Sequence, residues 1–188
     1  MRTLSPREAV EGLRSGDVAL VPTETVVGLV ADEPGLSRIR KIKGRDANKP
    51  IALLCRSAEE AFGLAANVPT LAKKLADRYW PGPLTLVLDL PTGETIGLRV
   101  PAGRAVRELL EAQGGPLYAT SANLTGEPAR AAAEEVDPRV LGAVDIVVAG
   151  EEGSGEASAV VDLSGGTVRL LRAGDELTKE SLAQLAHE

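Results

Sequence analysis

In Val21-Pro22-Thr23-Glu24-Thr25-Val26-Val27-Gly28-Leu29, two hydroxyls flank a carboxylate between apolar runs. The residues before it, 18–21, read as a buried strand, so the polar trio falls at a strand end, where sites are commonly built. Such groups can hydrogen-bond a polar ligand, and Glu24 can orient a neighbouring cation. A second cluster is cationic. Arg38, Arg40, Lys41, Lys43, Arg45 and Lys49 lie within twelve positions of an acidic chain, with Asp46 the only acid among them. Cations suit a helix C-terminus, which accounts for Arg40, Lys41 and Lys43. Arg45 and Lys49 lie beyond Gly44, where an anion site is the competing account. In Ala119-Thr120-Ser121-Ala122-Asn123-Leu124-Thr125-Gly126 a strand ends in small hydroxyl and amide side chains. These suit an ordinary turn and equally suit phosphate or carboxylate oxygens. Arg99 sits in an apolar strand, Gly97-Leu98-Arg99-Val100, and needs an anionic partner, from the protein or from a ligand. Ser158 opens a Val-rich strand, and Arg172 follows one in Leu170-Leu171-Arg172. Trp80, beside Pro81-Gly82-Pro83, and Cys55, after Leu53-Leu54, read as packing.

Helices and strands alternate around these residues. Ser5, Pro6 and Glu8 form a capping box that opens a helix, and Ser57 with Glu60 predicts another. Apolar spacing marks helices at Leu36–Ile42, Leu71–Tyr79, Val106–Leu110 and, capped by Thr178, Leu182–Leu185. Strands are expected at 18–21, 51–55, 84–90, 95–100, 117–120, 145–148, 159–163 and 168–171. Gly153-Ser154-Gly155 reads as a mobile loop. Strand pairs without a helix between them exclude a purely parallel sheet. One α/β domain over residues 1–188, with a mixed, twisted sheet, is the expectation.

Composition narrows the function classes. The 188 residues carry a net charge of −6, so nucleic acid binding would need a local basic face. Aromatic residues are 2% of the chain, too few for reading single strands by base stacking. The lone Cys55 excludes an intramolecular disulfide and most zinc sites. The one histidine, His187, leaves Ser-His-Asp and Cys-His mechanisms without an obvious base. No apolar run approaches a membrane span, and the N-terminus is polar and amphipathic, so a cytoplasmic protein is expected.

Taken in order, VPTETVVGL, Lys43-Gly44-Arg45 with Lys49-Pro50, WPGPLTLVL, GLRVP, SANLTGEP and SAVVDL…LLRAG resemble the YrdC-like family, the threonylcarbamoyl-AMP synthases of TsaC type. The motifs run from about Val21 to Gly174, and the chain ends soon after, as in the short form of the family. The resemblance implies a twisted open α/β sandwich with a deep, positively lined cavity. It implies a reaction of L-threonine, bicarbonate and ATP, with magnesium, giving L-threonylcarbamoyladenylate and pyrophosphate. Partners that follow are proteins transferring the threonylcarbamoyl group to tRNA, and double-stranded RNA. Lys43, Arg45, Ser121 and Asn123 match the family's KxR and SxN tetrad and are expected to serve catalysis and the nucleotide. Lys49, Thr95 and Arg172 match further ATP contacts; Thr25, Arg99 and Ser158 match the threonine side. Three departures touch the threonine pocket: Val27 in place of an aromatic, Leu54 where a histidine is common nearby, and Ala102-Gly103 in place of Asp-His. A non-enzymatic RNA-binding protein and, more distantly, a carbamoyl transferase on the same fold compete with the synthase. The tetrad together with Arg99 favours the synthase, because an RNA binder needs surface cations.

Overall fold

The computed structural model describes residues 1–44 and 51–187. Among them, strands β1 (Arg2–Leu4), β2 (Ala19–Val21), β3 (Gly28–Ala31), β4 (Ala52–Leu54) and β5 (Leu84–Asp89) are followed by β6 (Thr95–Arg99), β7 (Leu117–Ser121), β8 (Ile146–Val148), β9 (Ala159–Asp162) and β10 (Arg169–Arg172). They form one sheet in the order β1-β8-β2-β3-β7-β4-β6-β5-β9-β10. The pairs β1–β8, β2–β8, β4–β6 and β5–β9 are parallel and the others antiparallel, the mixed sheet that the sequence predicts. Two strands escape the sequence reading. β1 has only three residues, and β3 is the apolar return of the VPTETVVGL stretch.

The helices are α1 (Pro6–Arg14), α2 (Leu36–Lys43), α3 (Ala58–Leu64), α4 (Thr70–Tyr79), α5 (Arg104–Gln113), α6 (Pro138–Leu141) and α7 (Lys179–His187). Ser5 and Glu8 make the expected reciprocal cap of α1. At α3 the expected box is half formed. Ser57 accepts from the Glu60 amide at 3.1 Å, but the Glu60 carboxylate turns to the Arg56 amide and guanidinium. An arginine one residue before the cap offers a stronger, charge-assisted partner than the cap's own amide. Gly44 ends α2 at φ +56°, a left-handed position that glycine takes without strain. No helix of the described residues is long and apolar enough to cross a membrane.

Strand alternation gives the central sheet two unlike faces. Leu53, Leu84, Leu86, Leu88, Leu98 and Val161 point one way, into a core closed by α4 and α7. From the same strands Ala52, Thr85, Gly97 and Val160 line a cavity. Trp80 packs its ring 5.6 Å from Phe62 and donates to the Leu84 carbonyl, the packing role expected of it. Cys55 is fully buried, and desolvation pushes its thiol up to about 12, so it stays protonated and inert.

Candidate functional site

The cavity has a volume of about 280 Å³ and reaches from β3 and β7 to β10 across one sheet face. It exists because its floor is made of small residues. A Cβ on Gly97 would stand 3.1 Å from the Thr85 methyl and 3.3 Å from the Ala52 Cβ. Gly28 and Ala119 keep the β3 and β7 side equally low. Strand order gives the width: Ser121 on β7 and Ser158 beside β9 are separated by β4, β6 and β5, about 19 Å along the sheet at roughly 4.8 Å per strand.

Arg99 is the central cation. Its side chain is 9% exposed and that of its partner Glu24 is 22% exposed, with Nη2 and Oε1 2.7 Å apart. The same Nη2 donates to the Thr25 hydroxyl at 2.9 Å, and Nε donates to the Gly82 carbonyl at 3.2 Å. Thr23 gives its one proton to the Val26 carbonyl, so Thr25 donates to Thr23 at 2.9 Å and accepts from Arg99. Thr25 is therefore a brace behind Arg99 and is not itself among the cavity-lining residues. Both donors on Arg99 Nη1 make no bond to a described residue, which leaves one edge of the guanidinium for a ligand.

Glu24 supplies the orientation that its place in the sequence suggests. Burial pushes its carboxyl up, but the Arg99 charge and the Ala102 and Gly103 amides outweigh that, and the net shift is downward. The Gly103 amide donates to Oε2 at 2.9 Å. Gly103 allows this approach, because a Cβ there would lie 2.9 Å from the Glu24 nitrogen. The Ala102-Gly103 departure is thus the seat of the Glu24 carboxylate. The loop over residues 153–155 lies against the same turn, through Ser154 and Gly155 amides donating to the Glu24 and Thr25 carbonyls. A Gly153 Cβ would stand 2.6 Å from the Thr23 carbonyl oxygen, so this loop is packed onto the site.

Arg172 reaches the cavity through a β-bulge. Leu170 pairs with Val161, but Arg172 pairs with Val160, leaving Leu171 as the extra residue. In an unshifted ladder Arg172 would oppose Ala159 and point to the core; the bulge sets it opposite Val160, and Arg172 and Leu171 both line the cavity. Arg172 donates from Nε to the Ser158 carbonyl at 2.7 Å and from Nη2 to the Ser158 hydroxyl at 3.3 Å. Desolvation and the nearby Arg99 charge lower its pKa. No carboxylate of the described residues pairs with Arg172 or lines the cavity. The serine matched to threonine and the arginine matched to ATP are thus in direct contact.

At the other end Lys43 is 1% exposed. Its ammonium donates to the Ser121 carbonyl, the Asn123 carbonyl and the Asn123 Oδ1. The Asn123 amide donates in turn to the Leu124 and Glu127 carbonyls, and Thr125 donates to the Lys43 carbonyl. Lys43 and Asn123 therefore shape the turn after β7. Ser121 lines the cavity, and its hydroxyl has no partner among the described residues. Thr95 stands at the exposed start of β6, on the Gly97 and Arg99 side by alternation but about 13 Å before Arg99, outside the lining. Arg45 and Lys49 lie outside the described residues. Arg38, grouped with them by sequence, is tied to Asp145 at 2.7 Å and to the Gly16 carbonyl, so part of the basic cluster is structural. Thr85, to which the sequence analysis gives no role, lines the cavity beside Ser158; its signal was a lone hydroxyl in Leu84-Thr85-Leu86-Val87. Val27 is fully buried in the core, and Leu54 lines the cavity as an apolar wall.

The open mixed α/β sheet thus carries on one face a cavity lined by Arg99 and Arg172 and, among the described residues, by no carboxylate, an arrangement suited to anions. The chain belongs to the Sua5/YciO/YrdC family, whose model, described as "Telomere recombination", matches residues 11–174. It is 38% identical to the threonylcarbamoyl-AMP synthase of Pyrococcus abyssi over 89% of this chain and 53% of that protein, so it spans about half the length of that relative. Its fold matches that of P. abyssi Sua5 complexed with L-threonine at a TM-score of 0.87 and 33% identity, over 98% of this chain and 60% of the other. E. coli YciO matches at a TM-score of 0.80 and 27% identity, over 93% and 94% of the two chains.

Proposed function

We propose that this chain is an L-threonylcarbamoyladenylate synthase. Threonine and bicarbonate would condense to a carbamate with loss of water. A carbamate oxygen would then attack the α-phosphorus of ATP and expel pyrophosphate. The observation that carries this reading is the pair of arginines in one cavity with no lining carboxylate among the described residues and with uncommitted donors on both. Anionic substrates supply the missing negative charge. The Arg99 Nη1 edge receives the threonine carboxylate, braced by Thr25, with Ser158 beside it. Ser121 and Arg172 meet the nucleotide at opposite ends; Arg45, Lys49 and Thr95 extend that contact, and Lys43 and Asn123 hold the Ser121 turn. Magnesium would arrive with ATP and offset the charge on its phosphates, since no carboxylate among the described lining residues would hold the ion by itself. The product would pass, in the cytoplasm, to proteins that modify tRNA.

The test is pyrophosphate release with ATP, bicarbonate, magnesium and each amino acid in turn, with mass spectrometry of the adenylate. Threonine alone should give the product at full rate. Folded protein that yields no threonine-dependent adenylate rules the synthase out and returns attention to RNA.

A further inference from the structure

Threonine and ATP have assigned partners in this cavity, while bicarbonate, the third substrate, has none. Thr85 and Ser158 are 8% and 5% exposed, and their hydroxyl oxygens lie 3.0 Å apart. The Thr85 oxygen makes no other bond to a described residue, and Ser158 has only Arg172 besides. Arg172 can only donate. Two hydroxyl protons thus share one bond, and whichever residue donates, one proton is left without a protein acceptor. Both hydroxyls line the cavity, so that proton is available to a ligand there. Beside it Arg172 keeps Nη1 uncommitted and has no carboxylate among the described residues. A single hydroxyl donor next to a planar guanidinium edge suits a small, planar, singly charged oxyanion lying beside the nucleotide phosphates.

We propose that Thr85, Ser158 and Arg172 form the subsite for bicarbonate and the carbamate made from it, with Thr85 the positioning residue that sets the Ser158 hydroxyl. The inference rests on the synthase reading. Thr85 is suited to the task because its branched side chain is pinned, with its methyl over Gly97 and its hydroxyl on Ser158.

The experiment compares the full chain with Thr85→Val and Thr85→Ser in carbonate-depleted buffer, following labelled bicarbonate into the adenylate. Thr85→Val should raise the KM for bicarbonate about tenfold, the scale of one hydrogen bond. The KM for ATP and the rate at saturating bicarbonate should stay within about twofold of the parent. Thr85→Ser should restore the parent KM, and thermal melts should be alike for all three. Should valine crowd Gly97 and prevent folding, Thr85→Ala carries the same expectation. An unchanged bicarbonate KM, a common rise in all three substrate KM values, or no rescue by serine overturns the subsite. A parent chain that makes no adenylate overturns the synthase reading and the subsite with it; an active parent matched by Thr85→Val overturns the subsite alone.

Discussion

The two faces of the central strands share one backbone and differ in side-chain size. On β6 Leu98 is fully buried in the core, while its neighbours Gly97 and Arg99 look into the cavity. On β5 Leu84, Leu86 and Leu88 face the core, and Thr85 and Val87 face the cavity. The packed face stabilises the sheet by removing apolar area from water. The other face gives up that packing at Gly28, Ala52 and Gly97 and so keeps room for a ligand. Stability and the proposed binding thereby fall on alternate residues of the same strands, and the two should respond separately to substitution.

The largest effect is expected on the packed face. Leu98→Ala should destabilise the fold by about 2–5 kcal/mol in denaturant titrations, the range for a large-to-small change in a tight core. Gly97→Val attacks the opposite face. Its Cβ meets Thr85 and Ala52 at 3.1 and 3.3 Å, so the neighbours must yield and the cavity narrows. Calorimetric affinity for ATP and threonine should fall about a hundredfold or more, with at most about 1–3 kcal/mol lost in stability from overpacking. If Gly97→Val binds as the parent does, the cavity face is not the binding face.

Glu24→Gln tests the Glu24–Arg99 ion pair, which bears on both stability and the proposed binding. Arg99 would keep its charge and lose its charged partner, a cost of about 2 kcal/mol. The sign with pH follows from the lowered Glu24 pKa. Its stabilisation is fully present above the ordinary carboxylate value of 4.5 and is lost as pH falls through the depressed folded value. Denaturation curves from neutral pH to about pH 3 should therefore be flatter for Glu24→Gln than for the parent. Equal slopes would remove the pair from the account of stability. The smallest effect is expected from Arg172→Gln. It should weaken ATP binding about tenfold and cost at most about 1 kcal/mol of stability, because Arg172 donates to Ser158 but has no carboxylate partner among the described residues.

Much of the architecture was legible because it follows from short-range rules. Ser5 and Glu8, three apart, cap α1; Gly44 and Gly114 end helices at positive φ; alternation marks β5 and β6. β1 was not legible, since three polar-flanked residues become a strand only by pairing with β8, over a hundred positions later. Motif resemblance found Ser121, Arg99, Ser158 and Arg172, which do line one cavity. It could not divide cavity-lining groups from those behind them: Lys43, Asn123 and Thr25 carry polar groups of the same kind and make hydrogen bonds to the protein.

The sequence by itself determined which residues could hold anions, since charge and hydrogen-bonding capacity belong to the side chain wherever it goes. The tertiary structure alone decided direction and company. Glu24 neutralises Arg99 from 75 positions away, and the Gly103 amide seats Glu24 from 79. The register shift at Leu171 turns Arg172 from the core side to the cavity side. Such outcomes depend on strand register and on contacts between distant segments, and a change of one residue in register reverses every side chain that follows.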